Sequence, residues 1–438
     1  MKTAGDLLFS GDWLEDRQED EEVYVATTIY GLEDVAAREI EALCKNDVSP
    51  LSPPPAGENA TGRDDERDER GDGSDKRVLY GHGKVFFRGK KNILYRVAMA
   101  SKTINRAGVL LSAGRFRSLG DLVDIIKRDV EPEKYLGKKQ SFEVRFKRFG
   151  NHNFTSMDAN AAVGEIFHSM GYRVDLTTPD VTLRGWVHDN RFFFSIDATG
   201  PLYNRHYRVC KHPAPIRPNL ASLLVFLSGW PGVFEKNPAD SGVLLDPFCG
   251  SGTILVEAWW AVERRPPNLM SHFRFENMVF HDPEVFENER AFLQNTWVEH
   301  REKLLDILGG SDVPVVVGIE KYKRHVDCCL KTLGAGDVPG TCFLGDGARF
   351  DEYVAPEKIG GVVTNPPYGL RIGSKKTSLP LHHRFIERIK RIKHSGLNVP
   401  LVMITPHRVV EKHLTGLPIE RRRVAYGGLW VNVYRVDL

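Results

Sequence analysis

Apolar and polar positions along this chain follow two rhythms in turn. In the first half, residues 23–28 (Val-Tyr-Val-Ala-Thr-Thr) predict a strand, and apolar positions 32, 35, 36, 40 and 43 recur at helical spacing behind it. Residues 78–80 and 84–87 predict two more strands, 93–100 a helix followed by basic connecting sequence, and 119–129 an amphipathic helix. Residues 141–149 alternate strictly, with Phe142, Val144 and Phe146 on one face and Glu143, Arg145 and Lys147 on the other. A helix over 158–170 and strands over 181–187 and 192–196 complete this half. From residue 212 onward the rhythm changes to apolar runs (243–245, 314–319, 341–344, 360–364 and 400–404) separated by helical stretches. Strands that alternate with helices predict a parallel α/β sheet. Residues 428–436 predict a last strand, pairing at an edge.

Residues 46–77 break both patterns. They open with a Ser-Pro-rich run and continue through Arg63-Asp64-Asp65-Glu66-Arg67-Asp68-Glu69-Arg70, almost pure charge without an apolar face. Such a segment predicts a disordered surface insert, with an acidic helix as the alternative. A chain of 438 residues has room for two to four domains. Its 41% hydrophobic and 27% charged residues are those of a soluble globular protein, and a formal charge of +2 can hide a basic face. Arg145, Lys147, Arg148 and His152 on and after the alternating strand are candidates for such a face. Lys102, Arg106, Arg115, Arg117, Lys127 and Arg128 are near in sequence, so a phosphate-binding surface competes here with an ordinary solvated strand. The six cysteines form no C-x-x-C pair, which excludes a zinc ribbon and fits free thiols in a reducing cytosol. The expectation is a cytoplasmic protein with no resident metal, no membrane segment and no secretion signal.

Two stretches carry chemistry. The first runs from Val243 to Ala258 and reads as buried strand, glycine-rich turn and helix. Gly250, Ser251 and Gly252 let the backbone approach a ligand, and the following helix offers free N–H groups. Asp246, at the strand end, can accept from a cationic amine. A phosphate-binding loop would need Gly-Lys-Ser/Thr, and a dinucleotide loop a third glycine where Leu255 stands. An acidic turn without a basic residue suits S-adenosylmethionine. Glu320 and Asp346-Gly347 end two later strands, where ribose hydroxyls and an adenine amine would bind; taken singly, each carboxylate is as well explained as a helix cap. The gap from Asp246 to Glu320 is long for one strand-helix-strand step, so residues 263–312 must contain an insertion. Cys249, with no base to activate it, reads as a small loop residue.

The second stretch, Asn365-Pro366-Pro367-Tyr368, follows an apolar strand. Two prolines remove backbone donors, which leaves the Asn365 side-chain oxygen and the Pro366 carbonyl as adjacent acceptors for a planar amine. Tyr368 adds an aromatic face for an unstacked base. A plain strand-ending turn is the competing reading. This pattern fits methylation of guanine, of adenine N6 in DNA, or of a glutamine side-chain amide. A non-enzymatic RNA-binding module with a vestigial domain is the remaining alternative.

Together, residues 246–253 and 365–373 resemble the THUMP-containing RNA guanine-N2 methyltransferases, and within them the archaeal branch acting at position six of the tRNA acceptor stem. Gly31-Leu32-Glu33-Asp34, residues 149–156, Pro179-Asp180-Val181, residues 202–208 and residues 212–218 carry the same resemblance along nearly the whole chain. It implies a ferredoxin-like unit over 1–100, a THUMP RNA-binding domain over 101–200, a linker over 201–211 and a Rossmann-like methyltransferase domain over 212–438. It also implies that His212, Pro213, Ala214, Pro215 and Ile216 border the cofactor and that tRNA is the partner; a monomer is the expected oligomeric state. The chain departs from the resemblance at His206, where glycine is common, and at Glu320, where aspartate is. Methylation of another tRNA position or of rRNA stays open on these residues.

Overall fold

The computed structural model describes residues 20–45, 78–210, 213–310, 314–369, 375–393, 399–408, 410–413 and 416–438. The insert predicted over 46–77 and His212 lie outside the described residues. Among the described residues, no helix is long and apolar enough to cross a membrane.

The N-terminal half contains β1 (Glu22–Thr27), α1 (Glu33–Cys44), β2 (Val78–Gly81), β3 (Lys84–Gly89), α2 (Lys91–Ala100), β4 (Arg106–Arg115), α3 (Leu119–Asp129), β5 (Ser141–Phe149), α4 (Ser156–Ser169), β6 (Arg173–Val174), β7 (Val181–His188) and β8 (Arg191–Asp197). These strands form one eight-stranded sheet in the order β2-β3-β1-β4-β8-β7-β5-β6. The stretch expected as basic connecting sequence is β4, which pairs with β1 on one side and β8 on the other and makes the sheet continuous. Gly108 is what allows the second pairing, since a Cβ there would lie 2.1 Å from the Ile196 carbonyl oxygen. Helix α3 starts where the Ser118 hydroxyl accepts from the Asp121 N–H, and α4 where Thr155 and Asp158 form a reciprocal capping box.

The C-terminal half contains α5 (Pro218–Ser228), α6 (Trp230–Lys236), β9 (Val243–Asp246), α7 (Thr253–Val262), α8 (Pro283–Leu308), β10 (Val316–Glu320), α9 (Lys323–Ala335), β11 (Gly340–Leu344), β12 (Ile359–Thr364), α10 (Lys375–Lys393), β13 (Pro400–Thr405), α11 (Val410–His413), β14 (Ile419–Tyr426) and β15 (Leu429–Asp437). Its sheet order is β11-β10-β9-β12-β13-β15-β14, parallel through the first five and antiparallel for the last two. The last strand therefore sits inside the sheet, and β14 takes the edge instead; three consecutive arginines in β14 disguise its strand character. The predicted insertion is α8, which packs on α2 of the N-terminal half. Arg96 of α2 and Glu289 of α8 pair in a two-pronged, buried ion pair at 2.5 and 2.9 Å.

The halves are joined most deeply at Glu257 of α7. Its carboxylate accepts from Arg205 Nε at 3.0 Å, from the Tyr207 hydroxyl at 2.6 Å and from the Ser222 hydroxyl at 2.5 Å. Arg205 also donates to the Leu202 and Lys102 carbonyls. Both charged side chains are fully buried. Removing one member of such a pair strands the other, so Arg205→Ala should lose about 3–5 kcal/mol of stability. Chemical denaturation of the variant measures this, and a loss like that of an exposed arginine would refute the role of the pair.

Candidate functional site

The switch point of the parallel sheet lies between β9 and β12, from which the connections run to opposite sides. Asp246 ends β9, Glu320 ends β10 and Thr364 ends β12, so their side chains rise on one rim of the sheet. Asp246 is buried, and its Oδ1 accepts from the Thr364 hydroxyl at 2.8 Å and the Phe248 N–H at 3.1 Å. Burial pushes its pKa up to about 7, against the pull of these two hydrogen bonds. A buried carboxylate in this condition gains its charge readily only beside a cation.

The turn after β9 has Gly250 at φ 55° and Gly252 at φ 81°. The Gly250 N–H donates to Glu320 Oε2 at 3.2 Å, and Glu320 Oε1 accepts from the Tyr322 N–H at 3.0 Å. Ser251 is partly exposed in the same turn. Asp346 begins the turn after β11, where its Oδ1 accepts from the Ala348 N–H at 3.1 Å and its Oδ2 faces Arg384 at 3.3 Å. Gly347 passes so close to the first turn that a Cβ would lie 1.8 Å from the Pro247 oxygen. The structure thus gathers Asp246, Gly250, Ser251, Gly252, Glu320, Asp346 and Gly347 along one rim. Pro213 to Ile216 lead into α5, which packs on α7, β12 and β13; Ile216 is buried and Pro213 exposed.

Cys249 does more than fill its turn. Its sulfur lies 3.5 Å from that of Cys342 and 3.8 Å from that of Cys329, all three buried. Gly318 makes room for it, since a Cβ there would lie 2.7 Å from Cys249 Sγ. This trio, and His383 with Glu387 and His413, are groupings with metal-ligand chemistry among the described residues.

Asn365-Pro366-Pro367-Tyr368 follows Thr364 directly, so one hydroxyl ties this turn to Asp246. The Tyr368 hydroxyl donates to Asn365 Oδ1, so the acceptor expected from the sequence is capped within its own turn. The Tyr368 carbonyl accepts from His407 Nε2 at 2.9 Å and the Ser378 hydroxyl at 3.2 Å. His407 must therefore carry its proton on Nε2. Beside it lies buried His382, whose ring is 5.6 Å away and whose pKa burial depresses to about 4. Thr364, Ser378 and His407 were not singled out from the sequence. Thr364 could have been, because it occupies the last strand position before the turn.

In the N-terminal half, Arg145 and Lys147 project from β5 into solvent while Val144 and Phe146 are buried. Glu143 is buried too, accepting from Thr182 at 2.9 Å and from Arg145 at 2.7 Å, so it is not part of an open polar face. Arg148 donates to His152 Nδ1 at 3.1 Å, and His152 Nε2 donates to the Asp189 carbonyl at 2.6 Å. Burial and then the Lys147 charge push Lys84 down to about 8. Two cations drop out of the expected basic surface: Lys102 is buried, and Arg106 pairs with Asp197 at 2.7 Å.

Residues 205–432 match the RMKL-like methyltransferase domain family and residues 118–197 the THUMP domain family. The chain is 32% identical over 428 residues to the tRNA (guanine(6)-N2)-methyltransferase of Archaeoglobus fulgidus, covering 94% of this chain and 91% of that one. It is 29% identical over 383 residues to the protein of the same name from Methanocaldococcus jannaschii, covering 84% and 94%. The crystal structure of a possible methylase from Clostridium difficile 630 superposes with a TM-score of 0.69 at 20% identity, over 95% of this chain and 98% of that one, a likeness of fold.

The raised pKa of Asp246 has a consequence for stability. Its folded value lies above the ordinary aspartate value, so the native state binds the extra proton and stability falls as pH rises from about 4 to about 7. Asp246→Asn keeps an Oδ1 for both hydrogen bonds and removes the charge. The ligand-free variant should melt above wild type at pH 8 and equal it at pH 4, by calorimetry. An unchanged gap across that range would refute the assignment.

Proposed function

The chain belongs to the methyltransferases that join a THUMP domain to an RMKL-like catalytic domain, and we propose that it methylates tRNA. The acceptor is the exocyclic N2 of a guanosine at position six of the acceptor stem, and the donor is S-adenosylmethionine. The observation that carries this reading is the hydrogen bond from Thr364 to Asp246, which couples an amine-accepting turn to a cation-seeking carboxylate across adjacent strand ends. The names of the two archaeal relatives support the nucleotide and its position.

The residues fit this cofactor. Asp246 takes its cationic amine, the Gly250–Gly252 turn admits its amino-acid end, Glu320 takes the ribose hydroxyls, and Asp346 and Gly347 take the adenine. Pro213, Ala214, Pro215 and Ile216 border the same space, and the sequence resemblance implies the same role for His212. When bound, the cofactor supplies an electrophilic methyl group. The protein's part is positioning, because the guanine amine is a weak nucleophile whose lone pair is delocalised into the ring. Asn365 Oδ1 and the Pro366 carbonyl accept its two hydrogens and orient the lone pair. Tyr368 holds the ring by stacking, worth about 1–3 kcal/mol. No strong base is required, since the proton leaves after transfer has made the nitrogen acidic. Arg145, Lys147, Arg148 and His152 grip the RNA at a distance, from the domain expected over 101–200, while the reaction takes place in the domain expected over 212–438. A monomer in the cytoplasm completes the reading.

Incubation of tRNA with labelled cofactor, followed by nucleoside mass spectrometry, should yield N2-methylguanosine; N6-methyladenosine would overturn the substrate. Asn365→Ala should lower turnover on the order of 100-fold, the scale of one preorganised polar contact, with cofactor affinity unchanged. Near-normal turnover would sink the role of Asn365. Tyr368→Phe uncaps Asn365 yet keeps the ring, so its turnover should stay within a few-fold of wild type while Tyr368→Ala loses most activity. Equal losses in the two variants would show that the hydroxyl, not the ring, matters.

A further inference from the structure

The β14–β15 hairpin turns through Gly427 and Gly428, at φ 60° and 80°, the two-residue turn that suits the twist of paired strands. Next to the turn stands Trp430, 51% exposed. The Arg423 guanidinium lies over its indole, 4.4 Å from the ring centroid. Tyr30, from the loop before α1 in the N-terminal half, meets the same ring edge-on at 5.6 Å. At the start of the turn, the Tyr426 hydroxyl accepts from the Arg217 backbone N–H at 2.9 Å. The Arg217 side chain lies over the Tyr203 ring at 5.3 Å.

The charges on this surface are arranged unevenly. Of three consecutive arginines in β14, Arg421 pairs with Glu411 and Arg422 with Asp34 and Glu420. Arg423 has no carboxylate partner among the described residues, and neither has Arg217. Each is exposed and lies over an aromatic ring. That arrangement holds the guanidinium in place while its N–H fork stays available, a geometry matched to phosphate oxygens. Side chains alternate along β14, so exposed Arg423 shares a face with Trp430, while Tyr426 turns with buried Arg422 and Val424 to the other. The exposed indole surface beside Arg423 suits an unstacked base.

We propose that Arg423, Trp430 and Tyr30 form a track for the substrate RNA strand, at the seam where the loop before α1 meets β14. The Arg423 guanidinium meets a backbone phosphate, and Trp430 stacks on a base of the same strand. The track rests on the reading of this chain as a tRNA methyltransferase.

The test uses full-length protein with Trp430→Ala, Trp430→Phe and Arg423→Gln. It measures tRNA binding by fluorescence anisotropy across a salt series, transfer kinetics, and S-adenosylmethionine binding by calorimetry. Trp430→Ala should weaken tRNA binding roughly 5- to 100-fold and raise the KM for tRNA more than it lowers kcat, with Trp430→Phe restoring most of the affinity. Arg423→Gln should reduce the slope of log affinity against log salt by about 0.7–0.9, one phosphate contact. Cofactor affinity should not change in any variant. If wild type forms N2-methylguanosine while all three variants bind tRNA as it does, the track is wrong and the reaction stands. A parallel fall in cofactor affinity or melting temperature would assign these residues a structural role and also overturn the track. A wild type that does not methylate tRNA overturns the reading of the reaction, and the track with it.

Discussion

The buried carboxylate of Glu257 is the point on which the geometry of this molecule depends. A charge removed from water must be surrounded by donors, and here they come from two separate parts of the chain: Arg205 and Tyr207 from the connecting segment and Ser222 from α5. Glu257 sits on α7, the helix that begins at the Gly250–Gly252 turn. The same Arg205 reaches back to the Lys102 carbonyl in the N-terminal half. One ionic cluster therefore fixes the connecting segment, the helix behind that turn and the loop before β4 of the other half together. Alternate residues of that segment face inward, which leaves His206 outside, resting on Trp260 at 5.2 Å, and explains why a histidine is accommodated there.

Two further ties work in the same direction. Helix α8, which interrupts the step from β9 to β10, pairs Glu289 near its start with Arg96 of the N-terminal half and Arg301 further along with Glu263 and Asp337 of the C-terminal half. At the opposite side, Gly31 packs against β14 so closely that a Cβ would lie 2.2 Å from the Arg423 oxygen, and its φ of 91° suits glycine alone. Arg422 then pairs with Asp34 across the same contact. On the proposed reading, one half holds RNA and the other reacts, so the enzyme measures distance along its substrate. Three separate joints of this kind, two of them buried ion pairs, make the span between grip and reaction a fixed length rather than a hinge.

Much of this was legible in the sequence because the relevant signals are local. Residues 141–149 alternate, 119–129 show a helical stripe behind a capping serine, and the strand-turn-helix at 243–258 carries its glycines where the backbone turns left-handed. What was not legible depends on partners distant in sequence. Strand β4 looked like a basic connection because its arginines, Arg106 and Arg115, dominate its ends, yet Asp197 from β8 neutralises Arg106. Lys102 counted as a surface cation until the packing around Glu257 buried it. Glu143 looked solvated, but Thr182 of β7 satisfies it from the neighbouring strand. The roles of Thr364 and His407 follow from which strands are neighbours in the sheet, and strand order cannot be read from hydrophobic rhythm.

In this state the two halves of the proposed reaction centre satisfy their own polar groups. Tyr368 caps the Asn365 oxygen, and Thr364 and the Phe248 N–H occupy Asp246. Asn365 is only half-buried, so the cap stabilises the turn modestly while no base is present. On the proposed reading, a substrate amine takes over the Asn365 oxygen while the phenol turns its hydroxyl to water, and the Tyr368 ring becomes free to stack. Water could replace the phenol as a donor but would gain nothing from the ring. Uncapping and stacking are thus one exchange, favourable only for a flat molecule that carries an amine on its edge. The rigid hold of His407 and Ser378 on the Tyr368 carbonyl confines that exchange to the side chain and leaves the backbone acceptors in place.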